Sequence, residues 1–101
     1  MSQGRRNPLT GPQIRAARAL VNWSAEQLSR LSAVSLRTIR RAELTDGHTS
    51  MTTANDLAIR RPLEEAGVEF IDENGGGPGV RLRKRQGAKS SRAESRSQQS
   101  R

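Results

Sequence analysis

Residues 14–43 read IRAARALVNWSAEQLSRLSAVSLRTIRRAE, and the fold turns on this stretch. Ser24-x-x-Gln27 has the spacing of a capping box, in which the serine hydroxyl and the glutamine side chain each satisfy a helix-start N–H. Trp23 and Leu28 flank it as a hydrophobic staple, which assigns Trp23 to the core and cap, not to base stacking. Leu28 and Leu31 are expected to face inward. A further helix starts at Ser35, capping toward Thr38, with Val34 and Ile39 as its staple. Ile39 and Ala42, three apart, share its buried side. Upstream, Thr10-x-x-Gln13 is another capping box, with Pro12 in the first turn and Leu9 and Ile14 as staple. Ile14, Ala17, Leu20 and Val21 then line one face of a first helix.

Downstream, Asp46-Gly47 terminates the third helix, and Thr52 or Thr53 opens a fourth. Ala54, Leu57, Ala58, Leu63 and Ala66 are expected inward, and Gly67 ends the run. Pro62 interrupts it: inside a helix, proline removes a hydrogen bond and clashes with the carbonyl four residues back, here Ala58. A kink near Arg61, or two shorter helices, is expected. After Gly67 the period falls to two. Val68 and Phe70 alternate with Glu69 and Ile71, and Val80 and Leu82 alternate with Arg81 and Arg83. The segment 72–79, DENGGGPG, between them predicts a β-hairpin with a glycine-rich connection. That loop has no following helix and no Gly-Lys-Ser/Thr, so turn chemistry accounts for it better than phosphate binding.

The whole chain is 101 residues with a formal net charge of +8, a length suited to one small domain and its tails. The charge is uneven. Residues 81–101 hold eight basic residues against Glu94, whereas residues 12–80 hold eight arginines against nine carboxylates. The segment from Gln86 onward, rich in Ser, Gln and Arg, has no apolar periodicity and is expected to be disordered. A tail kept for solubility and a polycationic arm for phosphates both remain open. Domain organisation is therefore expected as a flexible 1–8, a folded 9–85 and a disordered basic 86–101.

There is no cysteine and a single histidine, His48, so neither a metal site nor a histidine-based triad has its parts. No cofactor is expected. The acidic cluster Glu64, Glu65, Glu69, Asp72 and Glu73 lacks an organising histidine, so the chain is not expected to be an enzyme. No apolar run reaches the roughly 20 residues that cross a bilayer, and residues 1–11 contain no signal-peptide core. A cytoplasmic protein without membrane contact is expected.

The second and third helices are separated by a short turn around Ser32-Ala33-Val34, the spacing of a helix-turn-helix. With Ile39 inward, a step of about 100° per residue puts Arg37, Arg40 and Arg41 on the other side, beside Ser35 and Leu36 at the N-terminal end. Guanidinium forks suit guanine edges and phosphates. Spacing alone leaves an ordinary solvated helix face equally open.

The stretch Ile14–Glu43 resembles the helix-turn-helix of the Xre family of phage-repressor-like regulators, through Trp23-Ser24, Leu28, Val34-Ser35, Thr38-Ile39 and Glu43 in register. The ending LEEAGVEFIDENGGGPGVRLRKR, residues 63–85, is similar to that of small bacterial members. The resemblance spans about residues 9–85. It implies a mainly α fold: a repressor-like helix-turn-helix bundle of four to five helices followed by a short C-terminal β-hairpin. It further implies a structural ion pair between Arg18 and Glu43. Three positions depart from the family pattern: Ala25 replaces a phosphate-contacting Gln, Ser29 a small Ala, and Ala33 the turn Gly.

The implied function is a sequence-specific regulator of transcription, a repressor or autoregulator, that binds double-stranded DNA. Base contacts are expected from Ser35, Leu36, Arg37, Arg40 and Arg41, with Arg40 serving bases or backbone and Leu36 suited to a thymine methyl. Phosphate contacts are expected from Ser24, Thr38, His48, Thr49 and Ser50. A homodimer through the exposed Val80–Arg83 edge or the apolar face of the hairpin is a second expectation. The alternative is an antitoxin-like interaction module whose main partner is a protein toxin, with DNA binding as autoregulation. RNA binding ranks lower, because Trp23 and Phe70 are claimed by the core.

Overall fold

The computed structural model describes residues 7–73 and 75–83. Expectations for the first six residues and for 84–101, the basic tail included, lie outside the described residues. Four helices come first, α1 (Gly11–Val21), α2 (Ala25–Ser32), α3 (Leu36–Glu43) and α4 (Thr53–Glu65). Strands β1 (Val68–Ile71) and β2 (Gly79–Leu82) then pair antiparallel, with Val68 opposite Leu82 and Phe70 opposite Val80. The mainly α architecture with a terminal hairpin is as expected, with α4 continuous through Pro62 and not divided.

Each helix starts on a hydroxyl. Thr10, Ser24, Ser35 and Thr52 each accept from the N–H three residues on. Thr10 completes its box: the Gln13 N–H donates to Thr10 Oγ1 at 3.2 Å and the Thr10 N–H to Gln13 Oε1 at 3.0 Å. Ser24 supplies only the forward half, accepting from the Gln27 N–H at 3.0 Å. Gly67, at φ 108°, closes α4 in the left-handed region that its missing side chain permits.

The core consists of Leu9, Ile14, Ala17, Ala25, Leu28, Val34, Ile39, Ala42, Ile59, Leu63 and Val68. Trp23, Val21, Phe70 and Val80 pack around it as half-buried neighbours. Several inward assignments fail. Leu31 is 52% exposed, because the inward stripe of α2 runs through Ala25, Leu28 and Ser32 and leaves it roughly a quarter turn to one side. Leu20, 38% exposed, lies at the end of α1 where the bundle no longer covers it. In α4 the buried stripe is Asp56, Ile59, Arg60 and Leu63, so Leu57 is 50% exposed and Ala54 and Ala66 are exposed, whereas Leu63 is inward as expected and Ala58 is half-buried against the core.

Polar side chains bind the elements to one another. Asp56 Oδ2 accepts from the Leu9 N–H at 2.8 Å, and its Oδ1 from Arg60 Nε at 2.5 Å. Arg60 also donates to the Asn7 carbonyl at 2.6 Å and stands 5.5 Å from the Phe70 ring centroid, within cation–π range. Gln13 Nε2 reaches the carbonyls of Ile71 at 3.2 Å and Gly79 at 3.0 Å, so one residue both caps α1 and holds the hairpin. Residues 9–11 run beside the segment after α3, with Thr10 bridged to His48 and the Thr49 N–H donating to the Leu9 carbonyl at 3.0 Å. The approach is close: a methyl at Gly11 would strike the Thr45 carbonyl and stand 2.7 Å from the Ala42 oxygen.

The turn between α2 and α3 carries strain. Ala33 closes α2 at φ 63°, a left-handed geometry that costs a residue with a Cβ about 1–2 kcal/mol. Serine hydroxyls hold it in place: Ser29 Oγ donates to the Val34 carbonyl at 2.6 Å, and Ser32 Oγ accepts from the Val34 N–H at 3.1 Å. Ala33→Gly removes the clash at a smaller entropic cost, so it should raise stability by about 0.5–1 kcal/mol in urea denaturation.

On the outer side of the hairpin Arg81 Nε donates to Glu69 Oε1 at 2.8 Å. This bond, then the positive charges of Arg81 and Arg83, holds the Glu69 carboxyl below its ordinary value of 4.5. A carboxylate depressed in the folded state stabilises fully above its unfolded value and loses that contribution as pH falls through the folded one. The Glu69 titration midpoint, followed by NMR, should therefore rise in Arg81→Ala.

Candidate functional site

α3 has two unlike sides. Ile39, Ala42 and Glu43 are buried, whereas Arg37, Arg40 and Arg41 are exposed. Arg37 and Arg41 stand one turn apart on the same ridge, opposite Ile39, and Arg40 flanks them toward α2. Ser35 is exposed at the N-terminal end of α3, with its hydroxyl accepting from the Thr38 N–H at 3.1 Å and donating to Thr38 Oγ1 at 2.9 Å. Thr38 is half-buried. Leu36, expected at the exposed end, is half-buried and packs on the core, because its place in the first turn leans toward the cluster around Ile39.

The expected phosphate contacts divide. Ser24 and Ser50 are exposed. His48 is exposed, with Nδ1 2.9 Å from the Pro8 carbonyl. Thr49 is corrected: it is 7% exposed and its hydroxyl is enclosed without a partner, because its backbone pairs with Leu9 and turns the side chain inward. A group so enclosed cannot reach a phosphate.

What aims α3 is a network beneath its C-terminal half. Arg18 meets Glu43 with two parallel bonds, Nε to Oε2 at 2.6 Å and Nη2 to Oε1 at 2.8 Å. Its third nitrogen, Nη1, donates to the Trp23 carbonyl at 2.9 Å. The bond from Glu43, followed by its charge, raises the Arg18 guanidinium above its ordinary value against the opposing effect of burial. Arg15, from the same helix, donates to the Glu43 carbonyl. One side chain of α1 thus fixes the end of α3 and the start of α2.

Three participants have no signal in the sequence pattern. Arg15 caps the end of α3 from another helix, and Ser29 stitches the turn. Glu26, in the first turn of α2, accepts from Arg40 Nη2 at 2.9 Å. The two residues are fourteen apart and belong to different helices, so no local spacing announces the pair.

Among the described residues, no group of three or more His, Cys, Asp or Glu is placed to hold a metal ion, and no helix is long and apolar enough to cross a membrane. Neither the family models nor the curated proteins provide a match to this chain.

A charge pair of this burial, with side chains 22% and 10% exposed, leaves an uncompensated charge when one partner is removed. Glu43→Ala should cost about 3 kcal/mol in urea denaturation, the low end for a buried pair because Arg18 is partly exposed. The Arg18→Ala, Glu43→Ala double variant should cost little more than the worse single one, as expected of partners in one bond.

Proposed function

We propose that the protein is a sequence-specific, double-stranded DNA-binding regulator of transcription of the Xre type, in which α2 and α3 act as a helix-turn-helix and α3 enters the major groove. The supporting observation is the arginine side of α3: Arg37, Arg40 and Arg41 are exposed together, opposite the buried Ile39, Ala42 and Glu43. A guanidinium there offers a planar fork to the O6 and N7 acceptors of guanine, and a charge to the backbone. Arg37 and Arg41 are assigned to bases, Arg40 to the edge of the same contact, and Ser35 to the groove floor at the helix start. Ser24, Ser50 and His48 are assigned to phosphates. Leu36 keeps a thymine-methyl contact only through the half of its surface that remains exposed.

Two copies on a palindromic site would place their α3 helices one DNA turn apart, about 34 Å. A second reading keeps the same DNA contact for autoregulation and adds a protein partner, such as a toxin. It draws on the apolar groove where the exposed Leu20 and Leu82 flank Val21, Trp23 and Gly67.

The test is selection of bound sequences from genomic fragments at about 0.15 M salt, followed by affinity measurement on the selected duplex. A recurring motif is expected. Arg37→Ala should weaken binding to it by about 1–3 kcal/mol and relax preference at one base pair. Unchanged affinity and preference would remove α3 as the reading element.

A further inference from the structure

The arginine face of α3 is not purely cationic, because Glu26 projects from α2 onto Arg40 with 2.9 Å between Oε2 and Nη2. Both side chains are more than half exposed, at 53% for Glu26 and 57% for Arg40, so this bond contributes little to folding. Its placement matters more than its strength. Glu26 sits in the first turn of α2, two residues after Ser24, where the Ser24 hydroxyl and the helix-start N–H groups make a favourable place for a phosphate. The carboxylate therefore lies beside Arg40 next to a helix start of the kind that suits a phosphate.

Resting on the DNA-binding function proposed above, we infer that Glu26 is a specificity-determining residue that withholds Arg40 from the DNA backbone and reserves its guanidinium for base readout. Guanidinium has five N–H donors in a fixed plane. Glu26 engages one of them through Nη2, leaving four, which include one side-by-side N–H pair for acceptors on a base edge. Arg40 satisfied in this way adds no counterion release on an arbitrary duplex. On a matching site, its remaining donors meet bases while Glu26 keeps the bonded one. Glu26 thus lowers affinity for DNA in general while leaving the specific contact intact, which widens the ratio between the two.

The experiment uses the full chain and two duplexes, the selected site and a scrambled one of equal length, with affinities measured across a range of salt. Glu26→Gln removes the charge that holds Arg40 with little change of shape, leaving at most a neutral hydrogen bond. On the scrambled duplex the variant should bind about threefold to fivefold more tightly, and the slope of log K against log salt should steepen by about 0.9, the signature of one more phosphate neutralised. The ratio of specific to scrambled affinity should fall. In an Arg40→Ala background the same Glu26 substitution should change scrambled binding by less than about twofold, because the residue through which it acts is gone. An equal gain in that background would reduce Glu26 to general repulsion and overturn the inference. So would an unchanged slope and ratio in the single variant, with the unmodified chain still preferring its site. Failure of the unmodified chain to prefer any sequence would instead overturn the DNA-binding function, and this inference with it.

Discussion

The two-pronged bond between Arg18 and Glu43 is the constraint on which the rest of the architecture depends. α3 is eight residues long, below the length at which a helix is stable alone, so its position must come from tertiary contacts. Ile39 and Ala42 hold one side against the core but leave rotation about the core contact weakly defined. Glu43 removes that freedom, because a planar guanidinium meeting a carboxylate through two bonds accepts little angular error. The Arg18 bond to the Trp23 carbonyl carries the same precision to the start of α2. Arg15 on the Glu43 carbonyl satisfies an end of α3 that would otherwise face the interior unpaired.

A small apolar core makes such bonds necessary. Among the described residues only seven large apolar side chains are fully enclosed, Leu9, Ile14, Leu28, Ile39, Ile59, Leu63 and Val68. Around them, buried polar residues do work that a bigger domain would assign to further apolar contacts. Gln13 makes the start of α1 and the hairpin one unit, and Asp56 with Arg60 joins the segment before α1 to α4. Removing one member of such a set leaves several backbone groups unpaired at once. The cost of an error is therefore concentrated in a few positions instead of being spread through the core.

How far the sequence revealed this follows from what local patterns encode. Hydroxyl caps and staples depend on residues three to five apart, so Thr10, Ser24, Ser35 and Thr52 were legible as helix starts. The hairpin, though not its register, followed from two short alternating runs. The α4 interior was misread for a physical reason: Ala54, Leu57 and Ala58 have the same helical spacing as the true inward stripe, and that stripe contains Asp56 and Arg60, whose burial depends on Leu9 and Asn7 some fifty residues away. Of the two outcomes expected at Pro62, a kink or a division, the division does not occur, because Pro62 lies in the final turn of a helix held by Ile59 and Leu63 on its buried side. Thr49 was hidden because its orientation is set by strand-like pairing with Leu9. The arginine face of α3 was legible because one buried residue, Ile39, fixes the direction of every other side chain on a short helix. Glu26 was not, since only the angle between α2 and α3 brings it to Arg40.

Charge distribution gives the arginine face its significance. Residues 12–80 carry eight arginines against nine carboxylates, so the helical region has no general excess of positive charge with which to hold a polyanion. Arg15, Arg18 and Arg60 each have a partner inside the fold, and Arg81 has one on its surface. Arg30 and Arg61 are exposed singly on other helices, whereas Arg37, Arg40 and Arg41 form on α3 a local excess, partly countered by Glu26 at Arg40. The excess of the whole chain lies elsewhere in its sequence, largely among residues 81–101. For a DNA-binding function this separation has a direct consequence: long-range attraction and sequence discrimination are carried by different residues, and selection can alter one without disturbing the angle at which Arg18 and Glu43 set the other.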